Sequence, residues 1–443
     1  MKNIVLPQGN FLSRNHECLQ ELINRYQSED NTPVEDRYYA VFDMDNTLTV
    51  GDTIYNLIPY QIKHLCYAFK PTNIKKILRG DLDPKLWKKK LKDGFSCDDL
   101  ATDIKVAFTR LYEKGYVSKA LSSEEECQKW QDDIDFLEFR AKLLVLMRES
   151  LHLYGWIEQV YWYGYLFSGM TYDEFYEVAK ASHLYHLNNP KFEIQVFKSP
   201  KSYKSICGEC SFIQKEGLAV VDEMKELVKA FNDANIDCHI VSASDICDVK
   251  AAALNMNIGK FASYIGIGNK VDRKGRILPI RDLNNYPFAV ETGKSDYIKN
   301  VLMKKYKKGP IFVAGDSIGD FFQLSEFKDT KISLLINTLG NTKINMLRAI
   351  ALNQMRNRIS LDDVIKTNDT LFLIQGRNYN TGKFISNYDS YNIGETSLSE
   401  NNEELEKLAD KIGNNASISS ILSQSDTIFN DPFEFKFRGY KIF

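Results

Sequence analysis

Two aspartates one residue apart, Asp43 and Asp45, stand just beyond an apolar run, Tyr38-Tyr39-Ala40-Val41-Phe42, in the stretch Asp43-Met44-Asp45-Asn46-Thr47. The run reads as a buried strand. Placing two carboxylates at its end is costly unless they meet a cation or take part in a reaction. In extended backbone both side chains point to one face. One can then attack a phosphorus atom while the other handles a proton. A metal ion must offset their repulsion, and hard carboxylate oxygens suit Mg2+. The alternative is an Asx-rich turn closing a strand.

Three later stretches add to this pair. Cys238-His239-Ile240-Val241-Ser242 is a second strand-like run, ending in a hydroxyl. Lys294 opens a helix-like segment, Thr292-Gly293-Lys294-Ser295-Asp296-Tyr297-Ile298. Ile311-Phe312-Val313-Ala314-Gly315 is a third buried-strand run, followed at once by Asp316-Ser317-Ile318-Gly319-Asp320. Each has a plainer reading: Ser242 and Asp316 as helix caps, Lys294 as a solvated surface lysine. Their order, strand-DxDxT, strand-Ser, helix-Lys and strand-GDSxxD, is improbable by chance.

This set resembles the haloacid dehalogenase superfamily in its phosphatase branch, over roughly residues 36–57 and 208–340. The resemblance implies that Asp43 is a nucleophile and Asp45 a general acid/base, with Thr47 positioning that acid beside the phosphate. It implies Ser242 and Lys294 as phosphate-binding groups, and Asp43, Asp316 and the Asp45 backbone carbonyl as Mg2+ ligands. Asp320 would be a supporting acid. True dehalogenases lack the second aspartate, so Asp45 argues for phosphoryl transfer. Ala40 through Thr47 with Gly51-Asp52, and Val241-Ser242-Ala243-Ser244, are similar to the phosphoserine phosphatase-like group. Asn15 through Ile23, and Phe167-Ser168-Gly169-Met170-Thr171, are similar to its bacterial phosphorylcholine phosphatases.

The expected fold is α/β: a Rossmann-like parallel-sheet hydrolase core with an inserted helical cap domain. A domain-sized stretch separates Asp43 from Ser242, where a crossover between parallel strands needs only about a dozen residues. Helical patterns are read at 53–68, 84–92, 98–115, 122–152 and 171–187. The domains drawn from this are 1–57, an N-terminal helix (about 14–27) and the first part of the core; 58–207, the cap; and 208–443, the remainder of the core with a C-terminal extension. Within the last, 215–234 reads as a helix, 263–279 as a hairpin around Asp272-Arg273-Lys274-Gly275, 292–305 as a helix, and 331–337 and 370–375 as strands. Asn401-Asn402-Glu403-Glu404 resembles a capping box.

A net charge near −2 gives no whole-chain basic field for nucleic acid. No apolar run is long enough to span a bilayer, and the N-terminal apolar stretch is too short for a signal peptide. The expected location is cytoplasmic, with secretion by a leaderless route left open. Eight cysteines in 443 residues suggest no disulfide scaffold, and Cys207-Gly208-Glu209-Cys210 lacks the second ligand pair of a zinc site, reading as a reduced surface pair. Cys238 and Cys247 read as packing residues.

The expected partner is a small phosphorylated metabolite, an amino alcohol phosphate such as phosphocholine or phosphoserine. Asp52 either contacts a cationic head or caps the helix beginning at Thr53. Tyr161, Trp162, Tyr163 and Tyr165 offer aromatic faces to a quaternary ammonium, or form ordinary cap core. Residues 63–92 hold ten Lys/Arg against two acids. That steers an anionic substrate, touches an acidic membrane surface, or is a solvated helix face. Two rivals stand beside this reading: a phosphatase of phosphoproteins or phospholipid headgroups, and a binding protein on a non-catalytic version of the scaffold.

Overall fold

The apolar runs around the aspartates are strands buried on both faces. The structure, a computed structural model, describes residues 3–286, 289, 291–338, 343–395 and 400–412. Seven strands form the main path of the central sheet: β1 (Tyr39–Phe42), β2 (Asp237–Asp245), β3 (Ser263–Ile267), β4 (Phe312–Gly315), β5 (Ile332–Ile336), β6 (Leu371–Asn378) and β7 (Lys383–Ile385). Their spatial order is β7-β6-β5-β4-β1-β2-β3, and all neighbours are parallel except β6 and β7. The short strand Ser390–Tyr391 adds a parallel pairing to the end of β6. β1, β4 and β5 are buried at every position, as expected of parallel strands covered by helices on both faces. The expected fold class, an α/β parallel-sheet core with an inserted helical region, is what the structure shows.

Strand order reverses at β1: β2 and β3 are added on one side of it, and β4, β5 and β6 then on the other. Phe42 lies opposite Ile240 on one side and Ala314 on the other. Asp43, Val241 and Gly315 are therefore level, with Ser242 and Asp316 one residue further on. Open α/β sheets bind ligands beyond the carboxyl ends of the strands at such a reversal.

The inserted region is joined to the core by a two-strand neck. Thr49–Val50 pairs antiparallel with Ala219–Val220, Val50 facing Ala219. Gly51 has φ +95°, and a Cβ there would sit 2.1 Å from the Gly217 carbonyl oxygen, so no side chain fits. The domain edges drawn at 57/58 and 207/208 fall within the helix Thr53–Lys63 and within the hairpin that pairs Glu193–Lys198 with Ser211–Glu216. The neck encloses a wider stretch, residues 51–218, and is where the chain leaves and rejoins the core.

The insertion is mostly helical: Thr53–Lys63, Cys97–Glu113, Ile134–Tyr154, Trp156–Tyr165 and Tyr172–Asn188 are its longer helices. The break expected in 122–152 lies between Glu124–Cys127 and Ile134–Tyr154. Ser96, Ser123 and Thr171 close capping boxes with Asp99, Glu126 and Glu174. Of the stretch 215–234, expected to be helical, residues 215 and 216 end the strand Ser211–Glu216, and the core helix begins at Asp222. In the 263–279 region, Ser263–Ile267 is a core strand, and the hairpin pairs Asn269–Val271 with Ile277–Arg281. The Glu400–Ile412 helix starts before Asn401, which puts Asn401 inside the first turn instead of at the cap. All eight cysteines are free thiols; Cys238 and Cys247 are buried as expected, but so is Cys210, which corrects its reading as a surface residue. Among the described residues no helix is long and apolar enough to cross a membrane.

His239, on β2, is buried and stays neutral. Tyr306 donates its proton to Asp237 at 2.7 Å, so its oxygen accepts from His239 Nε2 at 2.9 Å, and Ser263 Oγ lies 2.7 Å from Nδ1. Burial pushes the imidazole down to about 3 from its ordinary 6.5. The unfolded chain therefore takes up this proton first, and the histidine's contribution to stability is lost as pH falls from about 6.5 toward 3. Buried carboxyls with raised values pull the other way. Thermal melting across that window should show a shallower acid-side loss in His239→Gln than in the unmodified protein. Equal slopes would exclude a titrating His239.

Candidate active site

Asp43 leaves β1 with its amide donating to the Ala314 carbonyl at 3.0 Å, which locks it beside β4. Its Oδ1 accepts from Lys294 Nζ at 2.6 Å, and the same ammonium reaches Asp320 Oδ1 at 2.7 Å. Burial alone would lower the lysine's pKa. The charges of Asp320 and Asp43 outweigh it and raise the value, so the ammonium stays charged. Lys294 is positioned by the helix Thr292–Tyr297, which runs on through a π turn at Ile298–Leu302.

Asp320 is the anchor of the loop after β4. Its Oδ2 accepts from the Asp316 and Ser317 amides and the Ser317 hydroxyl, each at 3.1 Å, while Oδ1 also accepts from Gln323 at 2.7 Å. A Cβ on Gly315 would lie 2.6 Å from this side chain, so the glycine is what lets the carboxylate approach. One carboxylate oxygen from each of Asp43, Asp316 and Asp320 lies within 4.8 Å of the others, and all three residues are buried. Burial and the charge of Asp320 raise the pKa of both Asp43 and Asp316.

This donor set fits a hard divalent cation. Three buried carboxylates share one contacting ammonium, which leaves two negative charges over when all are ionised. Asp320 is filled by hydrogen bonds. Among the described residues, however, neither oxygen of Asp316 receives one, and the Asp45 carbonyl oxygen accepts none from the backbone. Asp43, Asp316 and the Asp45 carbonyl are thus the free oxygens, of the kind Mg2+ takes.

Asp45 faces a different environment from Asp43. The turn after it places Asn46 at φ +59°. Asp45 Oδ1 accepts from the Thr53 amide and meets the Thr53 hydroxyl, both at 2.7 Å, and Oδ2 accepts from Ser244 Oγ at 2.5 Å. The Thr53 hydroxyl also lies 2.5 Å from Asp248 Oδ2. One hydroxyl proton cannot be given to two carboxylates, so the run closes only with a further proton on one of them. Burial and the charge of Asp248 raise the Asp45 pKa, against the hydrogen bonds of Ser244 and Thr53. That suits an acid that must arrive protonated.

Thr47, expected to position this acid, is fully buried and its hydroxyl has no partner among the described residues. The side chains that meet Asp45 are those of Thr53 and Ser244 instead. Ser242 is buried and its Oγ accepts from the Ser244 amide at 3.1 Å. Asp52 caps the helix Thr53–Lys63, accepting from the Tyr55 amide at 3.0 Å. Burial, then the charge of Asp45, raise its pKa well above the usual carboxylate range.

The aromatic run does not face one pocket. Successive helical residues turn by about 100°, so four near-consecutive rings must diverge. Trp162 donates to the Leu78 carbonyl at 2.6 Å and Tyr165 bonds Asp81, both within the insertion. Tyr161 is also buried in the cap core. Tyr163 alone turns toward the Asp52 side, meeting the Tyr55 ring edge-on at 5.7 Å. The basic stretch is partly neutralised within the insertion: Lys63, Lys75 and Lys90 pair with Glu124, Asp98 and Asp99.

Two buried arginines at the site had no sequence signal. Arg348 donates to the Asp316 carbonyl at 2.5 Å and to Thr338 Oγ1 at 2.9 Å, fixing the loop that carries Asp316. Arg377, near the end of β6, donates to Asn46 Oδ1 at 2.7 Å and bridges to the first aspartate loop.

No protein-family model matches the chain, and no curated protein matches it. Solved structures do. The chain is similar to a conserved functionally unknown protein from Anaerococcus prevotii DSM 20548, at 26% identity over 90% of this chain and 100% of that one, with a TM-score of 0.73. The likeness is one of fold. A protein with unknown function from Bordetella pertussis Tohama I matches at 14% identity over 73% of this chain and 96% of that one, TM-score 0.31. A phospho-aspartyl intermediate analogue of phosphoserine phosphatase matches at 10% identity, 68% and 87% coverage, TM-score 0.29. The last two are too distant to argue from.

Proposed function

We propose that this protein is a Mg2+-dependent phosphomonoester phosphatase of the haloacid dehalogenase type, acting through a phospho-aspartate on Asp43. The observation that carries this reading is the division of labour between Asp43 and Asp45. Two carboxyls of one loop lie in opposite surroundings, one against a charged lysine, the other in a hydrogen-bonded run that must hold an extra proton.

Asp43 attacks phosphorus, and the bond to the alkoxide oxygen breaks as the acyl phosphate forms. Asp45 gives its proton to the departing oxygen, then takes one from the water that hydrolyses the acyl phosphate. Lys294 offsets the repulsion between the nucleophile and the incoming dianion, and Ser242 donates to a phosphate oxygen. Asp320 holds Lys294 in place. Asp43, Asp316 and the Asp45 carbonyl would hold Mg2+, which would supply positive charge beside the phosphate.

The proposed substrate is a small amino alcohol phosphate such as phosphocholine or phosphoserine. Its cationic head would lie near Asp52, Tyr55 and Tyr163. A metabolite panel that favours sugar phosphates tenfold or more would end the cationic-head assignment and leave the phosphatase intact.

The cheap test is 4-nitrophenyl phosphate with and without Mg2+. Turnover should appear with Mg2+, vanish with EDTA and return when Mg2+ is restored. Ca2+ should inhibit, because its looser coordination lets it engage the Asp43 carboxylate through both oxygens. Turnover that is indifferent to EDTA, or absent at every metal concentration, would defeat the proposal.

A further inference from the structure

We propose that Asp248 and His183 are positioning residues for Asp45: a buried hydrogen-bonded chain through Thr53 holds the acid's orientation only while the cap helix Tyr172–Asn188 is seated on the core. The inference rests on the phosphatase reading and on Asp45 delivering the proton.

The chain crosses three elements. His183, on the cap helix Tyr172–Asn188, places Nε2 2.8 Å from Asp248 Oδ1. Asp248 lies in the first turn of the core helix Ile246–Asn255, and its Oδ2 meets Thr53 Oγ1 at 2.5 Å. Thr53 is the first residue of the first cap helix, and it meets Asp45 Oδ1 through both amide and hydroxyl. His183, Asp248 and Thr53 are fully buried. The two outer helices are also tied by Asn255 to Tyr176 at 2.8 Å and by Cys247 to the Tyr172 carbonyl at 3.3 Å.

Packing alone does not call for this arrangement. Apolar side chains of similar volume would join the helices without the cost of burying a carboxyl and an imidazole. The polar groups form a chain, each oriented by the next, ending on the one carboxyl whose direction matters for proton delivery. Among the described residues His183 Nδ1 has no partner, so Asp248 is the ring's only polar anchor. Asp45 Oδ2 is fixed from the core by Ser244, whereas Oδ1 is fixed by Thr53. If the helix lifts, His183 leaves Asp248, Asp248 is free to turn from Thr53, and the Thr53 hydroxyl that meets Asp45 Oδ1 loses its anchor, which leaves the Thr53 amide alone to orient that oxygen. A poorly seated cap would then leave the proton misdirected and waste fewer encounters on a site still open to water.

The test compares two esters that differ in their need for an acid. Phenolate leaves poorly and requires the proton; 4-nitrophenolate leaves well without it. Asp248→Asn should lower kcat for phenyl phosphate at least tenfold more than for 4-nitrophenyl phosphate, with KM changed less than twofold for either. His183→Gln carries the same comparison at the far end of the chain, and decides the matter where Asp248→Asn does not fold. Equal losses on both esters, or no loss on either, would overturn the proposal and leave Asp248 and His183 as packing residues. An unmodified protein inactive on both esters with Mg2+ would overturn the phosphatase reading itself, and this inference with it.

Discussion

Asp43→Asn should bring phosphate-ester turnover down to assay background while the protein keeps its fold. An amide oxygen cannot become an acyl phosphate, so no partial activity through the same intermediate is expected. The folded state should tolerate the change well without metal. Asp43 is one of three buried carboxylates, and its pKa is pushed up by burial and by Asp320. Removing its charge relieves that repulsion, so the metal-free variant should melt at or above the temperature of the unmodified protein. The increment in melting temperature on adding Mg2+ should shrink, since a ligand is gone. Asp45→Asn should behave differently: turnover slowed by roughly 10²–10⁴-fold, with the Mg2+ increment kept because its oxygen for the ion is the main-chain carbonyl. Near-normal turnover in purified Asp43→Asn would end the phospho-aspartate proposal, whatever the metal data show.

Lys294→Met should be damaging twice over. The side chain is 2% exposed and touches Asp43 and Asp320 at 2.6 and 2.7 Å. Removing one partner of such a group leaves the other charges buried and uncompensated, a cost of about 3–5 kcal/mol. Denaturant unfolding without metal should show a loss of that size, and Mg2+ should recover part of it by supplying charge to the same carboxylates. Turnover should fall by orders of magnitude even where the variant is folded, because among the described residues Lys294 is the cationic side chain in contact with Asp43, and Mg2+ alone would be left to offset an incoming dianion. A stability change under about 1 kcal/mol would mean the ammonium is not held between the two aspartates.

The sheet was legible because β1, β4 and β5 are apolar apart from Ser333, a pattern that parallel strands sandwiched between helices impose. Asp43, Lys294, Asp316 and Asp320 were legible for a related reason: each follows or opens an element whose period is clear. The residues that hold Asp45 were not. Thr53 and Asp248 look like ordinary early-helix residues, and His183 is one of several polar residues on a helix face. Their importance comes from how three elements cross, which no local period encodes. Ser244 did carry a signal, since it shares a strand face with Ser242 two residues before it. The aromatic run misled in the opposite way. Crowding in sequence was read as crowding in space, while helical rotation spreads those rings around the axis. The helix read at 215–234 took in the last two residues of the strand Ser211–Glu216, Lys215 and Glu216, whose polar side chains suit either element. Gly217, at φ +137°, separates the two elements.

The paired neck between Val50 and Ala219 has a consequence for the order in which the molecule is made. The strand bearing Asp43 leaves the ribosome long before either of its sheet neighbours exists. Its first parallel partner begins at Asp237 and its second at Phe312. Every residue of the insertion is synthesised in between. The insertion has its own apolar core, running through Leu100, Phe108, Phe139 and Phe175, and can condense while the first strand is still unpaired. Loop-closure cost grows only with the logarithm of length, so a folded insertion with adjacent ends presents the later strands with a short connection instead of a long one. The aspartate cluster needs Asp316 and Asp320, which are synthesised after the whole insertion and its return strand, so a nascent chain carries no complete cluster until the cap residues are already made.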